Sequence, residues 1–228
     1  MKAVAPGLAD YTDNVLFGDN WEQPSLAKRD RSLLTLSALI AGGKTPQMPG
    51  HLGRALDNGL KPAEISGLIT HLAFYTGWPN AVSATSVVRE VFGKRGIDAT
   101  AIAGPAAPAP SASDAQEMIR SGALDDAAAA FAPDLARYTR EVIFADLWQR
   151  TDLSPRDRSL ATIAALITSG DARLMAQPVN RALDSGLSPA ELAAAITHLA
   201  FYAGWLRATN AAEIARAIVA KRETGAQA

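Results

Sequence analysis

Long apolar stretches separated by short polar turns dominate this chain, and two of them are almost continuous. Residues 32–41 read SLLTLSALIA, and residues 159–168 read SLATIAALIT. Both stretches are longer than an ordinary strand and carry small or aliphatic side chains on nearly every face, which is typical of buried helices. The pattern therefore predicts an all-α fold in which these two helices are buried in a bundle.

Several polar positions predict where helices begin and end. The segment 153–157, Leu-Ser-Pro-Arg-Asp, predicts a helix start with Ser154 as the N-cap and proline at the first helical position. The segment 188–191, Ser-Pro-Ala-Glu, is a capping box, and Gly186 before it predicts a left-handed helix end. In the first half Lys61 takes the capping position, which predicts a weaker start.

The chain is an internal duplication, because a shift of 127 residues lays one half on the other. Three matched segments carry this result: RDRSL at 29–33 and 156–160, RALDNGL at 54–60 and RALDSGL at 181–187, and ITHLAFYTGW at 69–78 and ITHLAFYAGW at 196–205. We expect two tandem modules, at 1–96 and 117–228. Residues 97–116 are rich in Ala, Pro, Gly and Ser, which predicts a semi-extended linker.

Composition excludes several classes of function. The net charge is −1 with acids and bases interspersed, so nucleic acid is not an expected partner, although local arginines could still bind a small anion. The chain has no cysteine, which excludes disulfides, thiolate metal sites and dithiol redox chemistry. The first residues lack the apolar core of a signal peptide, and no stretch has the length of a membrane span, so we expect a soluble cytoplasmic protein without a membrane partner.

The ordered motifs W-x-x-P, RDRSL, HLGRALDNG and ITHLAFYTGWPNA resemble the carboxymuconolactone decarboxylase family, across 11–92 and again across 138–219. The resemblance implies an alkyl hydroperoxidase D-like helical fold, whose peroxidase members carry Cys-x-x-Cys-x-x-x-His. Here Lys44 and Gln47 stand at the cysteine positions, while His51 keeps the histidine position. Without a thiolate there is nothing for a peroxide to oxidise, which excludes the peroxidase reaction.

The second module departs from the motif, because Pro178 stands opposite His51. If His51 carries chemistry, only the first module can perform it in that way. A neutral imidazole near its usual pKa could act as an acid or a base at neutral pH. The alternative interpretation is an ordinary surface or interface histidine that makes one hydrogen bond.

A polar stripe is predicted on the later helix of each module. Its members are spaced by 7, 4 and 3 residues, so they fall within about 60° of one another if the helix runs that far. They are Glu64, His71, Tyr75 and Trp78 in the first module and Glu191, His198, Tyr202 and Trp205 in the second. The stripe predicts either one wall of a polar pocket, with the histidines as proton donors, or a seam between helices or subunits.

Arginines recur where the helix dipole disfavours them. Arg29 and Arg31 lie in the first turn of a predicted helix, and the duplication repeats both. A partner must compensate this cost, and it is either a carboxylate of the protein or a carboxylate of the substrate. Arg54 and its counterpart Arg181 are candidates for the same task, since the guanidinium group binds a carboxylate through two parallel hydrogen bonds.

The family's namesake reaction removes carbon dioxide from a carboxymuconolactone in the breakdown of aromatic acids. The resemblance implies a carbon–carbon lyase without a cofactor, because the conjugated lactone carbonyl can accept the released electrons. We expect Arg54 or a first-turn arginine to orient the retained carboxylate, His71 or Tyr75 to donate to the oxyanion, and His51 to return the proton. Trp78 and His198 complete the predicted substrate-binding set, and no metal site is expected.

Two other functions stay open at the level of sequence. One is a related cofactor-free isomerase or dehydratase acting on a small carbonyl or lactone substrate, because site residues are reused across chemistries. The other is a non-catalytic oligomeric scaffold or binder. An enzyme should have a polar-lined pocket near His51, whereas a scaffold should have that histidine exposed or packed. The apolar helices also predict a homotrimer, since the resembling family forms rings of six modules.

Overall fold

The computed structural model describes residues 1–103 and 125–225, and these residues form helices joined by short turns, with no strand. The all-α prediction is confirmed. The helices of the first module are α1 (Pro6–Tyr11), α2 (Lys28–Ala41), α3 (Met48–Asp57), α4 (Pro62–Thr76) and α5 (Trp78–Lys94). A π-helical turn (Thr12–Phe17) extends α1, and a 3₁₀ turn (Asn20–Glu22) precedes α2.

The second module repeats this order. A short helix α6 (Ala99–Ile102) follows the first module and α7 (Asp126–Phe131) precedes the repeated part, whose helices are α8 (Pro133–Tyr138), α9 (Pro155–Ser169), α10 (Ala176–Asp184), α11 (Pro189–Ala203) and α12 (Trp205–Glu223). A π-helical turn (Thr139–Phe144) and a 3₁₀ turn (Leu147–Gln149) recur at the equivalent places. Within the described residues, no helix combines the length and the hydropathy needed to cross a bilayer.

The start of the predicted linker differs from the extended chain that its composition predicts. Residues 99–102 form one helical turn, because the carboxylate of Asp98 accepts the backbone N–H groups of Thr100 and Ala101 at 2.9 and 3.3 Å. The rest of the predicted linker, 104–116, lies outside the described residues. The same holds for the first residues of the predicted second module, 117–124.

The helix boundaries follow the capping residues. Ser154 accepts a hydrogen bond from the backbone of Asp157 at 3.1 Å, and Gly186 has a φ of +93°, as the sequence predicts. At the start of α4, the side chain of Lys61 stands at the N-cap position and cannot accept a hydrogen bond. The carboxylate of Glu64 still accepts the backbone N–H of Lys61 at 2.8 Å, so half of a capping box persists.

The two modules share one hydrophobic core. Helix α2 and helix α9 are buried along almost their whole length, which is why their sequences are apolar on nearly every face. They pack against each other, and each also packs against the later helix of the other module, α2 against α11 and α9 against α4. The later helix of one module therefore lies beside the central helix of the other.

Reciprocal ion pairs join the modules at the first turns of α2 and α9. Arg29 donates to both carboxylate oxygens of Asp157 at 2.7 and 3.1 Å, and Arg156 donates to Asp30 at 2.8 Å. Arg29 also reaches Glu64 at 2.7 Å. Burial lowers the pKa of Arg29, but the hydrogen bonds and charges of these carboxylates outweigh it and raise the pKa overall. Protein carboxylates therefore compensate the first-turn arginine, rather than leaving Arg29 to a substrate.

The predicted polar stripe ends earlier than the spacing suggests. Helix α4 stops at Thr76, because Gly77 adopts a φ of +88° that L side chains rarely take. Trp78 then begins the next helix, where its ring is 57 % exposed and packs edge-on against Phe74. The stripe therefore carries His71 and Tyr75 but not the tryptophan.

Candidate functional site

Each module seam holds one aromatic cluster built from both modules. The first, which we name the His51 cluster, takes a loop and helix α3 from the first module and helix α11 from the second. Its members are Phe17, Trp21, His51, Arg54, His198 and Tyr202. Neither module alone contains these groups, so the site exists only because the two copies pack together.

The ring of His51 is enclosed by three aromatic side chains. It lies 6.4 Å from the ring of Phe17 and 6.2 Å from that of Trp21 in stacked orientation, and 5.4 Å edge-on from Tyr202. Its Nδ1 atom is buried and has no hydrogen-bond partner within the described residues. Burial and the nearby charge of Arg54 lower the pKa of His51 below its usual value.

The guanidinium group of Arg54 lies over two of these rings, 4.7 Å from the centre of Phe17 and 5.2 Å from that of Trp21. Such cation–π contacts hold an arginine in place without using its N–H groups. Arg54 is exposed to solvent as a whole residue. The arrangement thus presents a pre-oriented cation beside His51.

Three hydrogen bonds fix the groups contributed by the second module. The indole of Trp21 donates to the hydroxyl of Tyr202 at 3.0 Å. The imidazole of His198 has two partners: Asn20 Nδ2 lies 2.9 Å from its Nδ1, and Thr35 Oγ1 lies 2.8 Å from its Nε2. All the partners come from the first module, so these bonds also lock α11 onto it.

Burial shifts the pKa values of His198 and Tyr202, the two groups from the second module. It lowers the pKa of His198 to about 3, and the positive charge of Arg31 acts in the same direction. His198 is therefore neutral at physiological pH. Burial raises the pKa of Tyr202, while the hydrogen bonds from Trp21 and Thr35 act against the rise. Tyr202 thus stays a protonated hydroxyl.

The second seam holds an equivalent group, which we name the Pro178 cluster. It contains Phe144, Trp148, Pro178 and Arg181 from the second module with His71 and Tyr75 from the first. Trp148 donates to the hydroxyl of Tyr75 at 2.8 Å, and His71 Nε2 lies 2.8 Å from Thr162 Oγ1. The guanidinium of Arg181 lies 4.5 Å from the ring centre of Trp148.

Two substitutions distinguish the Pro178 cluster from the His51 cluster. Proline replaces the enclosed histidine, and Leu147 stands where the first seam has Asn20. As a result, His71 Nδ1 is buried with no hydrogen-bond partner within the described residues, whereas His198 Nδ1 has one. The counterpart of His51 and the partner of the buried histidine are therefore missing from the same cluster.

The structure separates the residues that the sequence predicts as one site. His51, Arg54 and His198 meet in the His51 cluster, but His71 and Tyr75 belong to the Pro178 cluster because α4 packs beside α9. Arg31 is fully buried behind His198, where its Nη2 donates to the carbonyl oxygen of Gln23 at 2.9 Å. It acts there as a buried charge and not as an open carboxylate-binding group.

Sequence reasoning missed the residues that close the His51 cluster. These are Phe17, Asn20 and Thr35, while Tyr202 was named only as part of the polar stripe and Trp21 only as part of the W-x-x-P motif. The duplication carried a signal for some of them, because the aromatic positions 17 and 21 recur at 144 and 148 while asparagine at 20 does not recur. What the sequence could not give is the exchange of α4 and α11 between modules.

Two surface grooves lie apart from the His51 cluster. One of about 470 Å³ runs along α11 and α12, and one of about 370 Å³ runs along α4 and α5. Neither is lined by His51, Arg54 or Tyr202, while Trp78 lines the smaller one. In the described part of the chain, no group of three or more His, Cys, Asp or Glu side chains is arranged to hold a metal ion.

Comparison with known proteins agrees with this architecture. The model of the carboxymuconolactone decarboxylase family matches residues 6–90 and again residues 133–217, so the chain belongs to this family as a tandem member. It is 32% identical over 88 residues, 39% of the chain, to 4-carboxymuconolactone decarboxylase of Acinetobacter baylyi. It is also 32% identical over 74 residues, 32% of the chain, to nitrosuccinic acid decarboxylase of Metarhizium robertsii. These matches span 66% and 52% of the relatives' own lengths.

Proposed function

We propose that this protein is a cofactor-independent decarboxylase that acts on a small lactone of the carboxymuconolactone type in the breakdown of aromatic compounds. The observation that carries the proposal is the His51 cluster, where an acid–base histidine, an exposed arginine and a hydrogen-bonded tyrosine meet. Family membership and the names of two decarboxylase relatives support the same class of reaction.

The chemistry asks for three groups. The bond between the carboxylate and its carbon breaks, carbon dioxide leaves, and the electron pair flows through the conjugated double bond to the lactone carbonyl oxygen. A proton then adds to carbon, which restores the lactone carbonyl and gives an enol-lactone that keeps the second carboxylate. The protein must hold the carboxylate that stays, donate a hydrogen bond to the developing oxyanion, and supply the proton.

Arg54 suits the first task. Its position over Phe17 and Trp21 leaves the planar N–H fork free to bind a carboxylate through two parallel bonds. Because the rings also exclude water from one side of the guanidinium, the ion pair with a substrate carboxylate gains strength.

Tyr202 suits the second task, in place of the Tyr75 or His71 that the sequence favours. The indole N–H of Trp21 already donates to its oxygen, so the tyrosine hydrogen is available for another acceptor. The ring of Tyr202 lies edge-on to His51, so its hydroxyl belongs to the same cluster as the proposed proton donor.

His51 is the proton donor. Its lowered pKa makes its protonated form a stronger acid, which favours transfer to carbon, although less of it is protonated at neutral pH. An anionic substrate beside the imidazole would raise the pKa of His51 again, so that the ring takes up a proton. His51 therefore needs the substrate to reach its reactive state.

A second candidate function is a non-catalytic binder of small carboxylates. The observation that favours it is the packing of His51 between three rings, which leaves less open space than a preformed substrate pocket would have. In this case Arg54 would bind the ligand and His51 would contribute only packing.

The deciding experiment is turnover, followed in the ultraviolet, of carboxymuconolactones and related butenolides by protein treated with a chelator. We expect turnover that survives chelation and falls about 10²- to 10⁴-fold in His51→Ala, the range for loss of a general acid. Pro178→Ala is the matched control and should leave the rate unchanged. Binding of the lactones without turnover would favour the binder, and turnover that His51→Ala leaves intact would remove His51 from the mechanism.

The groove along α12 supports a trimer of this chain. Trp205 and Leu206 are 63% and 86% exposed beside it, which is costly for apolar side chains in water. Three tandem chains would place six modules in one ring. Sedimentation analysis at micromolar concentration should give three times the chain mass, and a clean monomer would contradict the trimer.

A further inference from the structure

One buried amide distinguishes the two otherwise similar clusters. Asn20 is 6% exposed, and its side chain faces the fully buried His198 across 2.9 Å. Buried polar groups are costly unless they are hydrogen-bonded, so an amide at this position must contribute through its partner. The equivalent Leu147 is equally buried and offers no donor or acceptor to His71.

The contact fixes which nitrogen of His198 carries the hydrogen. With Asn20 Nδ2 donating to Nδ1, the neutral imidazole carries its hydrogen on Nε2, and His198 also donates to the backbone carbonyl of Arg31. That hydrogen then points to Thr35 Oγ1 at 2.8 Å, so the threonine oxygen accepts. Because the pKa of His198 lies far below neutrality, no second hydrogen disturbs this assignment.

The donor and acceptor roles at His198 also determine those at Thr35 and Tyr202. A threonine hydroxyl that accepts from His198 keeps its own hydrogen for another partner, and Thr35 is in hydrogen-bonding contact with Tyr202. The oxygen of Tyr202 then accepts from both Thr35 and Trp21. Its remaining hydrogen is free to donate within the His51 cluster.

We infer that Asn20 is a positioning residue of the site: it fixes the Nε2–H tautomer of His198, which through Thr35 directs the Tyr202 hydroxyl hydrogen toward the substrate oxygen. The inference rests on the proposed function for its substrate, and the tautomer can be read without one. The Pro178 cluster lacks this device, because Leu147 leaves His71 Nδ1 without a partner.

The first arm of the test reads the tautomer by two-bond proton–nitrogen NMR of the full chain labelled on histidine nitrogen. The wild type should show His198 as the Nε2–H form. Asn20→Asp keeps the side-chain shape but offers only acceptors, so His198 should switch to Nδ1–H. Leu147→Asn is the matched control in the other cluster and should change the signals of His71 alone.

The second arm measures kcat and KM on the lactone that the wild type turns over. In Asn20→Asp the imidazole accepts from Thr35, which withdraws the threonine hydrogen from Tyr202, so kcat should fall about 10- to 100-fold with little change in KM. Asn20→Leu should lower kcat similarly, and Leu147→Asn should not.

An unchanged tautomer in Asn20→Asp overturns the inference, and so does a switched tautomer with unchanged kcat. If the tautomer switches but the wild type turns over no lactone, the proposed function fails while the control of His198 by Asn20 stands. The Asp variant leaves the packing volume unchanged but can bury a charge, so circular dichroism and urea unfolding of each variant check that the fold is kept.

Discussion

The His51 cluster and the Pro178 cluster share one set of contacts, which we call the common frame, but differ in two side chains. Both have a tryptophan that donates to a tyrosine, a buried histidine that meets a threonine, and an arginine over aromatic rings. Only the first has a histidine among the rings and an asparagine on the buried imidazole. The groups present at both seams hold the two modules together, and the two groups present at one seam only distinguish the cluster to which we assign the proposed chemistry.

This difference answers the question that the polar stripe left open. The histidine and the tyrosine of each stripe, on α4 and on α11, form hydrogen bonds to the other module, so this part of the stripe is a seam within the chain. At one seam the same residues also border an acid–base histidine. In the proposed function Tyr202 has both a structural and a catalytic role, whereas Tyr75 has the structural role alone.

The largest effect should come from removing the two tyrosine hydroxyls separately. Tyr202→Phe should lower kcat about 10²- to 10³-fold, because an oxyanion loses its hydrogen-bond donor. Tyr75→Phe breaks the equivalent bond from Trp148 and should leave kcat unchanged. Steady-state kinetics of both variants measure kcat, and urea unfolding measures the free energy of unfolding.

Equal losses of stability with unequal losses of turnover would support the division between the clusters. Each variant leaves one indole N–H without its partner, so each should lose a similar free energy of unfolding, about 1–3 kcal/mol. Equal losses of turnover would show that both seams react and would contradict the division.

Replacing the two arginines should give the next largest effect. Arg54→Gln should raise KM about 10- to 100-fold, because a charge-assisted pair with the substrate carboxylate is lost. Arg181→Gln serves as the matched variant and should leave KM unchanged. A KM that responds equally to both changes would place substrate at both seams.

The same variant tests the charge on His51. If His51 must be protonated in the free enzyme, kcat/KM falls as pH rises through its pKa, which burial and Arg54 hold below 6.5. Arg54→Gln removes one of these causes, so the fall should move to higher pH. A fall of kcat/KM toward low pH in this range would instead make His51 a base.

The sequence predicts the fold well because its strongest signals are local. Apolar runs, capping residues such as Ser154 and the left-handed Gly186 are each determined within a few residues, and the structure confirms them. The duplication also reveals Pro178 opposite His51 without any structure. These features depend on chain order alone.

The composition of the candidate site could not be predicted in the same way. The resemblance placed His51 in one catalytic set with His71 and Tyr75, all from one module, but the packing of α4 and α11 against the opposite modules brings Tyr202 and the predicted His198 to His51 and leaves His71 and Tyr75 in the other cluster. That exchange depends on how two apolar helices pack, which no local pattern encodes. Arg29 was ambiguous for the same reason, because its partner Asp157 is 128 residues away.

The smallest effect should come from building the missing groups into the Pro178 cluster. Pro178→His restores the acid–base position and Leu147→Asn restores the partner of His71 Nδ1, so the double variant should gain a second site and at most about twofold in kcat per chain. Combining it with His51→Ala makes the gain visible, because the first site is then silent. Pro178→His alone should restore less, since the buried imidazole still lacks its partner. If the single variant restores as much as the double, Leu147 does not limit the second seam. If neither restores turnover, the two clusters differ in more than these two residues, and the frame that they share is not sufficient for a site.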